Sequence, residues 1–218
     1  MFANVNGIKL YYEKTGEGEP IILIHGNGES HKIFDVAVNV LKTQFTVYAV
    51  DSRGHGQSSA IKEIHYDDMA EDIFCFIKEL NIKKPVIYGF SDGGIIALLL
   101  ASNHSDCLKC IIASGANTNP KGLVNGFSAA VKIKYFFTHS KNAKLMLCEP
   151  QITDQMLKKI SVPVFITCGS RDIIKLSDSK HIADTVPNAA LKIFNGETHG
   201  GYIVNSTKIA QYIMEVIK

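Results

Sequence analysis

No apolar run in this sequence reaches the roughly 18 residues that a membrane-spanning helix needs. Neither charge dominates: 23 Lys and Arg stand against 21 Asp and Glu, a formal net charge of +2. That balance gives no argument for nucleic acid or an anionic membrane as partner. Met1-Phe2-Ala3-Asn4-Val5-Asn6-Gly7 has neither the basic start nor the long apolar core of a signal peptide, so a cytoplasmic location is expected. Repeats, low-complexity tracts and linkers are lacking as well. The five cysteines are odd in number and scattered. Cys75, Cys148 and Cys168 sit in apolar settings, which predicts buried free thiols in a reducing compartment. Cys107-Leu108-Lys109-Cys110 spells C-x-x-C without a second pair for zinc. His31, His65, His104, His139 and His181 are neither clustered nor at ligand spacing, so no metal is expected. The phosphate-loop pattern G-x-x-x-x-G-K-[ST] is missing. Gly26-Asn27-Gly28 lacks the third glycine of a dinucleotide fingerprint, so no cofactor is expected.

What the chain has is the means to build a core: 218 residues, 46% hydrophobic and 20% charged, read as one domain over 1–218. Strand patterns cover 8–14, 20–24, 45–50, 84–88, 110–113, 163–168 and 190–194. Helical patterns cover 30–43, with Ser30 placed as a cap, 66–80, a segment from Gly94, 177–185 and 205–217. The first two of these strands are read as a potential antiparallel hairpin at one edge. Residues 115–160 break the alternation with helical stretches near 123–137, 140–147 and 153–160, an insertion between strands. Alternating strands and helices predict a mostly parallel α/β sheet with helices on both faces.

The chain is organised around Gly89-Phe90-Ser91-Asp92-Gly93, between an apolar strand and a buried helix. A serine there must turn so sharply that its hydroxyl projects from the sheet, and glycines two before and two after leave the room. Such a serine needs a base, and the base needs a third group to fix its tautomer. Parallel sheets present side chains at the C-terminal ends of strands. Two other strand ends carry the right types: Asp172, four residues past Cys168, and His199, five past Phe194 on a Gly200-Gly201 loop read as mobile enough to bring the imidazole in.

These features resemble the α/β-hydrolase superfamily over nearly the whole chain. The carriers are His25-Gly26-Asn27-Gly28, the Asp51-Ser52-Arg53-Gly54-His55-Gly56-Gln57-Ser58 loop, Gly89 to Gly94, Gly169-Ser170-Arg171-Asp172 and Thr198-His199-Gly200. The resemblance implies an eight-stranded sheet, with Ser91 as nucleophile, His199 as base and Asp172 as orienting acid. It also implies an oxyanion hole from the backbone N–H groups of Asn27 and Asp92, and a short helical lid over about 115–160. Ser91-Asp92-Gly93-Gly94 resembles serine esterases and the biphenyl-hydrolase-like (valacyclovirase) group, in which the acid after the serine would select amine-bearing substrates. The plainer reading of Asp92 is an acid in the first helical turn.

The expected function is hydrolysis of a small ester or related acyl bond. Amidase or aminopeptidase-like, thioesterase and C–C bond hydrolase activities would use the same three residues. A non-catalytic ligand-binding protein on this fold is the reading from another class. Serine at 91 disfavours the aspartate nucleophile of haloalkane dehalogenases and epoxide hydrolases. Asp178 is the weaker alternative to Asp172. His25, His55 and Arg53 read as loop ties rather than catalytic groups. Phe127, Tyr135, Phe136 and Phe137 are expected either to line an apolar pocket or to pack the lid down.

Overall fold

Ile21, Ile22, Leu23 and Ile24 are consecutive and all fully buried. A strand alternates its side chains between two faces, so such a run needs apolar cover on both. In the computed structural model, which describes residues 1–217, helices on either side of an eight-stranded sheet supply that cover. The strands are β1 (Phe2–Val5), β2 (Ile8–Thr15), β3 (Glu19–Ile24), β4 (Phe45–Val50), β5 (Val86–Phe90), β6 (Cys110–Ser114), β7 (Val164–Arg171) and β8 (Ala189–Thr198). Their order is β1-β2-β4-β3-β5-β6-β7-β8. Neighbours from β4 to β8 are parallel, while β1 and β2 form an antiparallel edge.

The helices are α1 (Asp35–Leu41), α2 (Tyr66–Glu79), α3 (Asp92–His104), α4 (Asn125–Thr138), α5 (Lys141–Cys148), α6 (Asp154–Lys158), α7 (Leu176–Thr185) and α8 (Lys208–Val216). On one face Ile22, Ile24 and Ile87 share a core with Met69, Ile73 and Phe76 of α2 and Leu98 of α3. On the other, Ile21, Leu23 and Tyr88 share one with Ala37 and Leu41 of α1 and Ile209 and Ile213 of α8. The strand order reverses at β3, flanked by β4 and β5. Such a switch point opens a crevice beyond the C-terminal strand ends.

The edge differs from expectation. β2 does not pair with β3, both of whose edges are taken by β4 and β5; it pairs antiparallel with β4, Tyr12 opposite Val50. The hairpin partner of β2 is β1, joined through Asn6-Gly7 at φ +44° and +77°. Asn-Gly between strands is the signal for such a turn, and it stands in the sequence. β7 and β8 also run longer than their apolar patterns. The Arg171 guanidinium donates to the Gly196 carbonyl and Gly196 N–H donates to Ser170 Oγ, which carries the pairing out to Thr198. Segment 30–43 divides into a 3-10 turn, His31–Phe34, and α1, and Ser30 makes no side-chain cap bond. All five cysteines are free as expected, but Cys148 is exposed and Cys75 only half-buried.

The strand-end loops are tied down by buried polar groups. His25 Nε2 accepts from Ser52 N–H at 3.0 Å while Nδ1 donates to the Gly26 carbonyl at 2.7 Å, and burial lowers its pKa to about 4. Arg53 grips both carboxylate oxygens of Asp72 on α2, at 2.6 and 2.5 Å. Helices α4, α5 and α6 lie between β6 and β7, where the insertion was expected. Lys141 Nζ fastens the start of α5 to the carbonyls of Gly54 and Ile61.

Candidate active site

β5 ends at Phe90 and α3 begins at Asp92, which leaves Ser91 alone to turn the chain. It does so at φ +54°, ψ −113°, a conformation that costs a residue with a Cβ on the order of 1–3 kcal/mol. Its N–H is held by the Ser114 carbonyl at 2.7 Å. The strain aims Oγ out of the sheet. His199 directly follows β8. The Ser91 hydroxyl donates to His199 Nε2 at 3.0 Å, and His199 Nδ1–H donates to Asp172 Oδ1 at 2.5 Å. The three residues predicted from separate strand ends are thus brought into one chain of hydrogen bonds. No loop has to swing: β8 delivers the imidazole, and the Phe90 ring lies against it with centroids 4.9 Å apart. Gly115, at φ +60°, leaves the space, since a Cβ there would come within 2.7 Å of His199 Cε1.

Asp172 also accepts from Ile174 N–H at 3.0 Å and Gly169 N–H at 3.1 Å. Burial alone would raise its pKa, but the bond and charge of His199 and these two N–H groups outweigh it and hold the carboxyl below its usual 3.8. The stability this gives is fully present above that value and is lost as pH falls through the lower folded value. The Tm gap between wild type and Asp172→Asn is therefore expected to begin narrowing as pH falls below about 4 and to go on narrowing towards the lower folded value. A gap equally wide at pH 3 would mean that the ionised carboxylate contributes nothing. Asp178 is engaged elsewhere, accepting from Thr118 N–H at 2.7 Å and Thr118 Oγ1 at 2.9 Å.

Asn27 and Asp92 meet through their side chains, which sequence reasoning did not foresee. Asn27 Nδ2 donates to Asp92 Oδ2 at 2.8 Å and to the Asn142 carbonyl of α5 at 3.3 Å. Asp92 is 5% exposed yet lines the cavity at Ser91. Its pKa is raised by burial, against the opposing hydrogen bonds of Asn27 and Tyr66. The cavity holds about 310 Å³ and is walled by Asn27, Ser91, Asp92 and His199 from the sheet side and by Leu123, Phe127, Lys134 and Met146 from the insertion. Of the four aromatic residues expected to line a pocket or pack inward, Phe127 reaches this cavity. Phe136 and Phe137 do neither and point to solvent.

A model of the alpha/beta hydrolase fold family matches residues 19–137. The chain belongs to the α/β-hydrolase fold family. Among curated relatives, the Bacillus subtilis AB hydrolase superfamily protein YisY is 39% identical over 113 residues, 50% of this chain and 42% of that protein. The human serine hydrolase BPHL is 35% identical over 121 residues, 52% of this chain and 41% of that protein. The matched stretch thus spans about two fifths of these relatives' own length. Among solved structures, the esterase EaEST from Exiguobacterium antarcticum superposes with a TM-score of 0.85 at 21% identity, covering 99% of this chain and 98% of that one. The enol-lactonase from Burkholderia xenovorans superposes at 0.82 and 18%, covering 99% and 98%. At such identities the likeness is one of fold.

One further residue of this hydrolase-fold site escaped sequence reasoning. Glu29 closes the glycine-rich loop, its Oε2 accepting from Gly26 N–H at 3.0 Å, and it too lines the cavity. Burial raises its pKa, with the Gly26 bond opposing. The signal in the sequence is its place directly after His25-Gly26-Asn27-Gly28.

Proposed function

We propose that the protein is a serine hydrolase that cleaves a small carboxylic ester or related acyl bond. The observation that carries this reading is the bond chain from Ser91 Oγ through His199 to Asp172 at the wall of a cavity. In the proposed reaction Ser91 Oγ attacks the substrate carbonyl carbon as His199 Nε2 takes its proton. The carbonyl π electrons move to oxygen, and the oxyanion is met by the backbone N–H of Asn27 and that of Asp92, whose place at the start of α3 leaves it without an intrahelical acceptor. Each such donor is worth roughly 3 kcal/mol in comparable enzymes. Collapse expels the alcohol, which takes the proton back from His199 and leaves an acyl-Ser91. Water, deprotonated by His199 Nε2, attacks the acyl carbon, and collapse breaks the bond to Ser91 Oγ, which takes the proton back from His199 as the acid leaves. Asp172 keeps the imidazole in the Nδ1–H tautomer throughout. No step calls for a cofactor.

A fluorophosphonate probe is expected to label Ser91 in the folded protein, with loss of labelling in His199→Ala. Folded protein that stays unlabelled would instead favour a ligand-binding role.

A second reading concerns substrate choice. Asp92 is a buried carboxylate beside Ser91, facing the cavity and bonded to a neutral amide rather than a cation. An amine on the substrate would supply the missing charge. Under this reading Asp92→Asn loses turnover of an amino-acyl ester while keeping that of the plain acyl ester.

A further inference from the structure

The charge of the chain is unevenly spread. Between Asp106 and Glu149 there are six lysines and no acidic residue. Five of the 23 basic residues and none of the 21 acidic ones fall within 115–148, so this part of the insertion is +5 and the rest of the chain −3. Helix α4 lies in it, and Val131 is the one buried residue among its 14. Phe127, Val131 and Lys134, at i, i+4 and i+7, make its inner side, and two of them line the cavity at Ser91. The opposite side carries Ala129, Ile133, Phe136 and Phe137, at i, i+4, i+7 and i+8. Ile133 is 61% exposed, Phe136 73% and Phe137 76%. A helix against water normally turns polar residues outward; this one turns outward a stripe without a charge in it. Lys132 sits about 100° round the helix from Ile133, next to Phe136, and borders the stripe on one edge.

We propose that the outer face of α4 docks on an anionic lipid bilayer and lies in the plane of its interface. Ile133, Phe136 and Phe137 would enter the boundary between head groups and acyl chains, where aromatic rings are favoured. Lys132, at the edge of the stripe, would meet anionic head groups, while Lys141 is held by the Gly54 and Ile61 carbonyls and Lys144 by Glu63. Charge selects this occupant over a second copy of the chain. A two-fold dimer sets the same patch against itself, and here it would press one +5 segment on another. Docking would bring the cavity on the inner side of α4 close to the lipid surface. The proposal does not depend on the hydrolase reading, and its decisive measurement uses no turnover.

The test is flotation of the full chain with vesicles of phosphatidylcholine alone and with about 30% phosphatidylglycerol, at low and at high salt. Wild type and Ser91→Ala should both partition onto the mixed vesicles, with binding lost on phosphatidylcholine alone and at about 0.5 M NaCl. Phe136→Ser/Phe137→Ser should lower the partition coefficient roughly tenfold or more, and Lys132→Gln roughly fivefold. Neither variant touches the cavity, so Tm and turnover of a soluble ester should be unchanged in both. Should the double variant misfold, Lys132→Gln and the salt arm decide alone. Wild type that ignores mixed vesicles, or binding indifferent to these residues, would overturn the proposal. So would a dimer in sedimentation equilibrium that the double variant abolishes, since the stripe would then belong to a second copy.

Discussion

Ser91→Ala is expected to reduce kcat/KM for p-nitrophenyl acetate by at least about 10³-fold, some 4 kcal/mol of transition-state stabilisation. Tm should move by no more than about 2 °C. The two parts follow from different facts. The hydroxyl is the atom that bonds carbon in the proposed mechanism, and it is the group hydrogen-bonded to His199 Nε2, at 3.0 Å. The fold, by contrast, uses the backbone of Ser91, held by the Ser114 carbonyl, and alanine keeps that bond. Residual turnover would be that of the oxyanion donors and binding alone. Turnover surviving within tenfold of wild type would remove the serine-hydrolase reading, because among the described residues Ser91 is the hydroxyl joined to the His199–Asp172 pair.

Gly93→Ala is expected to do the reverse, damaging the fold before the chemistry. In an exposed helix interior this change gains about 1 kcal/mol. Here a Cβ would lie 2.0 Å from the Ile24 carbonyl oxygen and 2.9 Å from that of His25, both backbone atoms fixed in or beside the central strand. Helix α3 would have to lift from β3, and α3 is buried continuously from Asp92 to Ser102. A loss of about 3 kcal/mol or more is expected, read as a fall in Tm of roughly 6–12 °C for a chain of this size. Such a lift also displaces Ser91 from His199, so activity should fall with stability. A variant as stable as wild type would mean that the second glycine of G-x-S-x-G is not there for the close approach of helix to strand.

The alternation of strands and helices was legible because each element announces its own burial. The unbroken apolar run at 21–24 demands cover on both faces, and the Met69, Ile73, Phe76, Ile77 stripe demands cover on one. The three residues of the bond chain were legible for a related reason: each sits in a short local pattern at a strand end, and the sheet orders those ends along one rim. Ser91, His199 and Asp172 meet in one chain of hydrogen bonds; their roles as nucleophile, base and acid are those of the proposed reaction. The errors fell where local pattern stops deciding. Asn6-Gly7 was a turn signal, but the strand before it is four residues of unremarkable composition. The tails of β7 and β8 are polar and are held by Arg171 and Ser170 rather than by apolar contact, so no periodicity marks them. The local pattern around Asp92 offers a dipole partner or a substrate selector. Its bond to Asn27 joins residues 65 apart and has no trace in either neighbourhood.

By itself the sequence determined which segments could be strands and helices, and that a serine, an acid and a histidine stood at three strand ends. It could do so because backbone geometry and burial act over a few residues at a time. Only the tertiary structure decided which strand pairs with which. It also decided that Asp178 serves Thr118 and not His199, that Glu29 and Asp92 face the cavity, and that Phe136 and Phe137 face outward. Those outcomes depend on where distant segments pack, and a side chain's surroundings are set by neighbours that the order of residues does not make adjacent.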